Sequence, residues 1–194
     1  MDTQLSMQAN DGNSLAINGR ISKGFDWKLT VISTEALSGK STSKQMRQNK
    51  LVDYKSQWIQ ANAAMNMKPF QWLIIDYKAS WGHSQAKAST GEQFSAIQSL
   101  KQRIMLDILL PFDINLNYSF EHYYNSAAQH NKIFSLTDAA IVYTYKGIRF
   151  SLDWTNILNT ATYVSKYYDT LNSYYSEYNI RQMAVMLKVN FRLV

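Results

Sequence analysis

The sequence predicts an all-β chain: an antiparallel transmembrane β-barrel segment of about ten strands, with short turns at one end and long loops at the other. Three observations predict it. Apolar and polar residues alternate over stretches of about ten residues, the length a tilted strand needs to cross a bilayer core. Four similar turn segments recur: Lys23-Gly24-Phe25-Asp26-Trp27, Lys68-Pro69-Phe70-Gln71-Trp72, Leu110-Pro111-Phe112-Asp113-Ile114 and Lys146-Gly147-Ile148-Arg149-Phe150. Aromatic residues gather in those turns and at strand ends, where a membrane barrel carries its interfacial girdles.

Taken in order, residues 3–9 read as a short, weak strand. Leu15, Ile17 and Ile21 then face away from Asn18, Arg20 and Ser22. After the first turn, Trp27, Leu29 and Val31 oppose Lys28 and Thr30. Residues 58–67 set Ala61, Ala63, Met65 and Met67 against Gln60, Asn62 and Asn66. Leu73, Ile75, Tyr77 and Ala79 alternate with Asp76, Lys78 and Ser80. Leu100, Ile104, Leu106, Ile108 and Leu110 alternate with Lys101, Arg103 and Asp107. Ile114, Leu116, Tyr118 and Phe120 face away from Asn115, Asn117, Ser119 and Glu121. Residues 134–145 end in Ile141, Tyr143 and Tyr145, opposite Asp138 and Thr144. Ile148, Phe150, Leu152 and Trp154 alternate with Arg149, Ser151, Asp153 and Thr155. The last strand alternates Met183, Val185, Leu187, Val189, Phe191 and Leu193 with Lys188, Asn190 and Arg192. Apolar residues at every second position make no stripe at a helical period. Long loops are expected at 36–53, 83–95, 125–133 and 158–179. Both prolines, Pro69 and Pro111, fall in turns and interrupt no strand.

The net charge of +6 is spread among strands rather than gathered in one run or on a helix, which argues against nucleic acid as a partner. No cysteine is present, so disulfides and thiolate metal sites are excluded. No apolar run reaches the ~18 residues of a membrane helix. The start, Met1-Asp2-Thr3-Gln4-Leu5-Ser6-Met7, reads as strand and not as an export leader. The membrane reading therefore expects protein upstream of Met1.

The C-terminal part carries a resemblance. Ser151-Leu152-Asp153-Trp154-Thr155-Asn156-Ile157-Leu158-Asn159, a tyrosine-rich stretch, Tyr178-Asn179-Ile180-Arg181 and the final strand resemble the end of a TonB-dependent outer-membrane receptor. Such receptors close with an Asn-Leu-Phe/Leu-Asn element, here Asn156-Ile157-Leu158-Asn159, and a final strand opening near an arginine, here Arg181. The segments 21–27 and 67–72 resemble their periplasmic turns. The likeness covers essentially the whole chain and is closest to receptors with a carboxypeptidase-like regulatory N-terminal domain. Two departures matter. The last residue is Val194, where outer-membrane strands often end in Phe or Trp. The plug, the TonB box and more than half of the family's roughly 22 strands are missing from 1–194.

The resemblance implies one C-terminal barrel region of a nutrient-uptake receptor (for an iron chelate, cobalamin, glycan or peptide) in the outer membrane of a Gram-negative bacterium. Its implied partners are outer-membrane lipid and the rest of the barrel and plug, with the TonB complex engaged only through the missing N-terminal part. The alternatives are a complete ten-stranded porin- or adhesin-like barrel and a soluble β-sheet binding module.

Alternation places Arg20, Lys28, Asp76, Lys78, Lys101, Arg103, Asp107, Glu121, Asp138, Arg149, Asp153, Lys188 and Arg192 toward a lumen, because such charges on the lipid face cost about 2–4 kcal/mol each at the midplane. Tyr163, Tyr167, Tyr168, Tyr174 and Tyr175 are extracellular-loop candidates for holding a sugar or an aromatic chelate. No catalytic residue, cofactor or metal is expected. His83, His122 and His130 lack the close spacing of ligands, and no Gly-x-Ser-x-Gly occurs.

Overall fold

The computed structural model describes residues 12–47, 50–91, 94–127, 132–168 and 173–191. They form β1 (Asn13–Phe25), a 3-10 turn (Trp27–Leu29), β2 (Thr30–Arg47), β3 (Lys50–Phe70), β4 (Leu73–Ala88) and β5 (Ile97–Leu110). Then follow β6 (Ile114–Asn125), β7 (Ile133–Tyr145), β8 (Ile148–Thr155), β9 (Thr162–Tyr168), β10 (Ser173–Asn179) and β11 (Ala184–Asn190). Nine strands make one antiparallel sheet in the order β1-β2-β3-β4-β5-β6-β7-β8-β11, and β9 pairs with β10 as a separate hairpin. The all-β antiparallel fold is as the alternation predicts. The described sheet is not closed by hydrogen bonds: β1 and β11 are its two edges.

Local chemistry fixes the short turns. Lys146 and Gly147 both take positive φ (47° and 79°), as a two-residue hairpin turn of the strand-compatible hand requires. Phe112 and Asp113 do the same after Pro111 (65° and 56°). At the β3–β4 turn the register shifts between Met67 and Phe70, around Pro69, whose missing N–H has no place in a ladder.

Eleven strands stand in the described residues, in keeping with the expected ten or so. Several other sequence expectations are corrected. Residues 36–47 and 50–53 are strand and not loop: β2 and β3 run 18 and 21 residues and pair through Arg47 and Lys50. Likewise β4 continues to Ala88, and 158–179 holds the β9–β10 hairpin. In β2 both faces turn polar, and in β3 and β4 the apolar residues Val52, Tyr54, Ala86 and Ala88 change to the other face, so the alternation read along each strand breaks while backbone pairing goes on. Trp27–Leu29 is a 3-10 turn, and Lys28 has φ 50°. The strand therefore restarts at Thr30, and Ile32, not Val31, joins the apolar side. The candidate strand at 3–9 lies outside the described residues.

Residues directly opposite in an antiparallel pair share a face, so register carries each face across the sheet. One row reads Arg20, Glu35, Asn62, Ser80, Lys101, Tyr123. The intervening rows read apolar: Met67, Ile75, Leu106, Tyr118, Ala139, Trp154, Val185. Substantial contacts between strands run between hydrogen-bonded neighbours rather than across a face. The apolar face is open, with Ile17, Ile21 and Leu187 68%, 74% and 71% exposed. Burial falls on the other side. Val52, Tyr54, Ala86, Ala88, Ile97, Phe134 and Val142, the buried apolar residues among those described, all share the face of the charged rows. A soluble sandwich does the reverse, packing its apolar faces together.

Candidate membrane interface and charged face

The apolar face forms a bounded band. In β3 it runs from Ile59 to Met67 and in β4 from Leu73 to Trp81, nine positions each, against about 9–11 for a strand crossing a bilayer at about 45°. The band crosses the hydrogen-bonded rows obliquely. The row that starts at Met67, the turn end of the band in β3, reaches Trp154, its loop end in β8. Trp154 lies six residues from Ile148, the turn end of β8, and that displacement over five strand spacings tilts the strands about 40° to the band's normal. Membrane barrels tilt by about 35–45°.

Aromatics edge the band. At the turn end, Phe70 stacks on Trp72 (5.1 Å between centroids), and Tyr143 lies near Tyr145 and Phe150 (6.3 and 6.4 Å). Lysines sit among them. Lys28 Nζ lies over the rings of Trp27 and Phe70 (5.1 and 5.2 Å), Lys23 over Phe25 and Lys146 over Tyr145. Trp81 and Trp154 mark the loop end. His83 stacks beside Trp81, and His122 bonds Ser135 Oγ through Nδ1 (3.1 Å). His130 lies outside the described residues, and no cluster fit for a metal ion occurs among those described.

The charged face gathers nearly every sequence-predicted lumen candidate. Arg20, Asp76, Lys78, Lys101, Arg103, Asp107, Glu121, Asp138, Arg149, Asp153 and Lys188 share it by register. Lys28 does not join them, because it stands in the 3-10 turn and has no strand face. Arg192 lies outside the described residues. Many of the charges are paired. Lys101 Nζ meets Glu121 at 2.9 Å, Lys78 meets Asp76 at 3.6 Å, and Lys188 meets Asp153, which also accepts from Ser151 Oγ. Asp107 accepts from Asn117, and Asp138 from the Asn156 backbone N–H (2.7 Å). Sequence reasoning missed Glu35, which accepts from Asn62 (3.0 Å) and Asn18 (3.4 Å) on this face. Its flanking Val31 and Leu37 hid the alternation.

At the loop end of this face, Val52, Tyr54 and Ala88 pack with Phe94, the Tyr54 and Phe94 rings 6.3 Å apart. Backbone bonds from Ser89 to Asp53 (2.7 Å) and from Phe94 to Ala86 (3.1 Å) hold the connection after β4 against the sheet. Gly39 sits beneath Trp58, where a Cβ would come within 2.6 Å of the indole. The face is thus packed as well as charged.

The Asn156–Asn159 element turns out to be a junction. Asn156 is buried at φ 51°, a conformation asparagine tolerates. Its side-chain amide donates to the carbonyls of Thr160 and Arg181 (2.9 Å each), and its Oδ1 accepts from Thr160 N–H. Asn159 Oδ1 accepts from Met183 N–H (3.1 Å). One element therefore ties β8, the β9–β10 hairpin and the entry to β11 together.

That hairpin carries all five tyrosine candidates but divides them by register, with Tyr163, Tyr167 and Tyr174 on one face and Tyr168 and Tyr175 on the other. Register opposes Tyr167 to Tyr174, Tyr163 to Tyr178 and Tyr168 to Ser173. Tyr175 is exposed and donates its hydroxyl to Glu177 Oε2 at 2.9 Å. That bond to a carboxylate raises the phenol's pKa, since losing the proton would set two anions together.

No protein-family model, curated protein or solved structure matches this chain.

Proposed function

We propose that this chain is the C-terminal wall of an outer-membrane β-barrel receptor of the TonB-dependent type, serving nutrient uptake. The observation that carries the reading is the inverted sheet: an uncovered apolar band on one side, with charge and burial on the other. In water such a band has no partner. Hydrocarbon supplies one, and the oblique course of the band fits a strand tilted through a bilayer. The open edges at β1 and β11 fit a wall completed by further strands. The Asn156-Ile157-Leu158-Asn159 junction and the position of Arg181 are the residues on which the receptor likeness rests.

In this role the paired charges line the aqueous interior and give a plug polar groups to dock against. The β9–β10 tyrosines stand beyond the loop end, on the extracellular side, where a sugar or aromatic chelate would first be met. In this reading the strands contribute wall and lining, and the hairpin contributes a loop.

Cysteine scanning tests the membrane assignment, because the native chain has no cysteine. An environment-sensitive probe placed singly along 73–80, in the chain reconstituted in vesicles, should alternate. Positions 73, 75, 77 and 79 report hydrocarbon, and 74, 76, 78 and 80 report water. Equal signals at both sets would refute the assignment.

A further inference from the structure

At the turn end of the apolar band, three lysines sit over aromatic rings. Lys23 Nζ lies 5.1 Å from the centroid of the Phe25 ring, and Lys146 Nζ lies 5.3 Å from that of Tyr145. Lys28 Nζ stands over two rings from two different turns, Trp27 at 5.1 Å and Phe70 at 5.2 Å. All four rings are exposed. Register puts Lys23, Phe25 and Tyr145 on the face of the apolar band, opposite Ile32, Thr30 and Ile148. A ring face attracts an ammonium but leaves its positive charge uncompensated. The lysines of the inward face are treated differently: Lys78, Lys101 and Lys188 each meet a carboxylate. Among the described residues no ion pair joins Lys23, Lys28 or Lys146 to a carboxylate, although Asp26 and Asp113 stand in turns at the same end.

Depth and charge together narrow the partner. Lys23 lies two residues beyond Ile21, about 5 Å along the band's normal at a strand tilt of about 40°. Lys146 directly follows Tyr145. The headgroup layer of a bilayer occupies about 5–8 Å beyond the hydrocarbon on each side. Exposed aromatic rings at the edge of a membrane band settle in that layer. An ammonium held on such a ring is kept level with the lipid phosphates rather than in the water beyond them. A zwitterionic headgroup offers these ammoniums no net countercharge, whereas the phosphodiester of an anionic phospholipid does.

We propose that Lys23, Lys28 and Lys146, each set on an aromatic ring, hold the phosphates of anionic phospholipids in the leaflet at the turn end. This rests on the membrane-wall reading above. The ring fixes depth and the ammonium selects charge, so this end of the wall gathers anionic phospholipid around itself from a mixed leaflet. Lys28 touches rings of both the β1–β2 and the β3–β4 turns, so one bound headgroup there steadies two hairpins.

The test reads lipid composition at the turn end itself. The full chain carries a fluorophore singly at Leu29→Cys or Ile148→Cys and is reconstituted in phosphatidylcholine vesicles. Quenching by spin-labelled phosphatidylglycerol is then compared with quenching by spin-labelled phosphatidylcholine at equal mole fraction. The phosphatidylglycerol quencher should be the stronger at both positions, and its excess should shrink with salt. Lys23→Gln with Lys28→Gln should lower the local enrichment at position 29 on the order of 10-fold and leave position 148 unchanged. Lys146→Gln should do the reverse, by about 5-fold. Lys78→Gln with Lys101→Gln, on the inward face, should change neither. Inorganic phosphate at constant ionic strength should not displace the lipid, and displacement by it would reassign the site to a free anion. Equal quenching by both lipids in the native chain, or an excess that survives the matching lysine variants, overturns the headgroup site while the alternation along 73–80 keeps the wall reading standing. Loss of that alternation overturns both.

Discussion

At the scale of single residues, the strongest constraint is Asn156. A buried amide in the left-handed region satisfies two carbonyls and one backbone N–H, from Thr160 and from Arg181, in two separate segments. Removing it leaves those groups unpaired in a sheltered place, at about 1–3 kcal/mol. Asn156→Ala should therefore lower the urea midpoint of the vesicle-bound chain and speed amide exchange in Ala184–Asn190 well before it does so in Ile114–Asn125. Uniform acceleration across both strands would show that the junction is not local. The sequence made Asn156 conspicuous by resemblance. Its work was not legible there, because Arg181 lies 25 positions away in the chain.

At the scale of the strand, adjacent residues belong to different environments. Ile75 lies in the middle of the apolar band, and Asp76, the next residue, meets Lys78 on the charged face. Ile75→Lys should destabilise the inserted chain by about 2–4 kcal/mol, the midplane cost of a lysine facing lipid. Asp76→Asn should change it by no more than about 1 kcal/mol, because its ion pair is partly exposed and water screens it. Unfolding by denaturant from vesicles measures both, and equal effects would contradict the assigned faces. The same scale explains the strands that sequence reading cut short. In β2, Ser41 and Ser43 face one way while Lys40, Thr42 and Lys44 face the other. With both faces polar the hydrophobic signal disappears, yet the backbone ladder with β3 continues to Arg47.

At the scale of the whole molecule, an exposed apolar band and two sheet edges that no described strand pairs are both liabilities in water. The chain expressed alone in aqueous buffer should therefore aggregate, and detergent or lipid should rescue it. Sedimentation as a monodisperse monomer without detergent would count decisively against the membrane reading. Net charge does not offset this. Most of the charge sits on the sheltered face or beyond the loop end of the band, and little of it breaks the apolar surface.

What the sequence determined by itself is local. A period of two follows from the pleat of any strand, so the identities of alternate residues already sort Arg103 from Ile104 and Asp153 from Leu152, and Lys146-Gly147 already encodes a turn. What only the tertiary structure decided is relational. Register between strands shows that the polar and charged face is continuous across nine strands, that the apolar band runs obliquely, that the buried apolar residues lie with the charges, and that Lys55 faces Lys87. Those facts depend on pairings between residues tens of positions apart, and alternation within one strand carries no information about its neighbour's register.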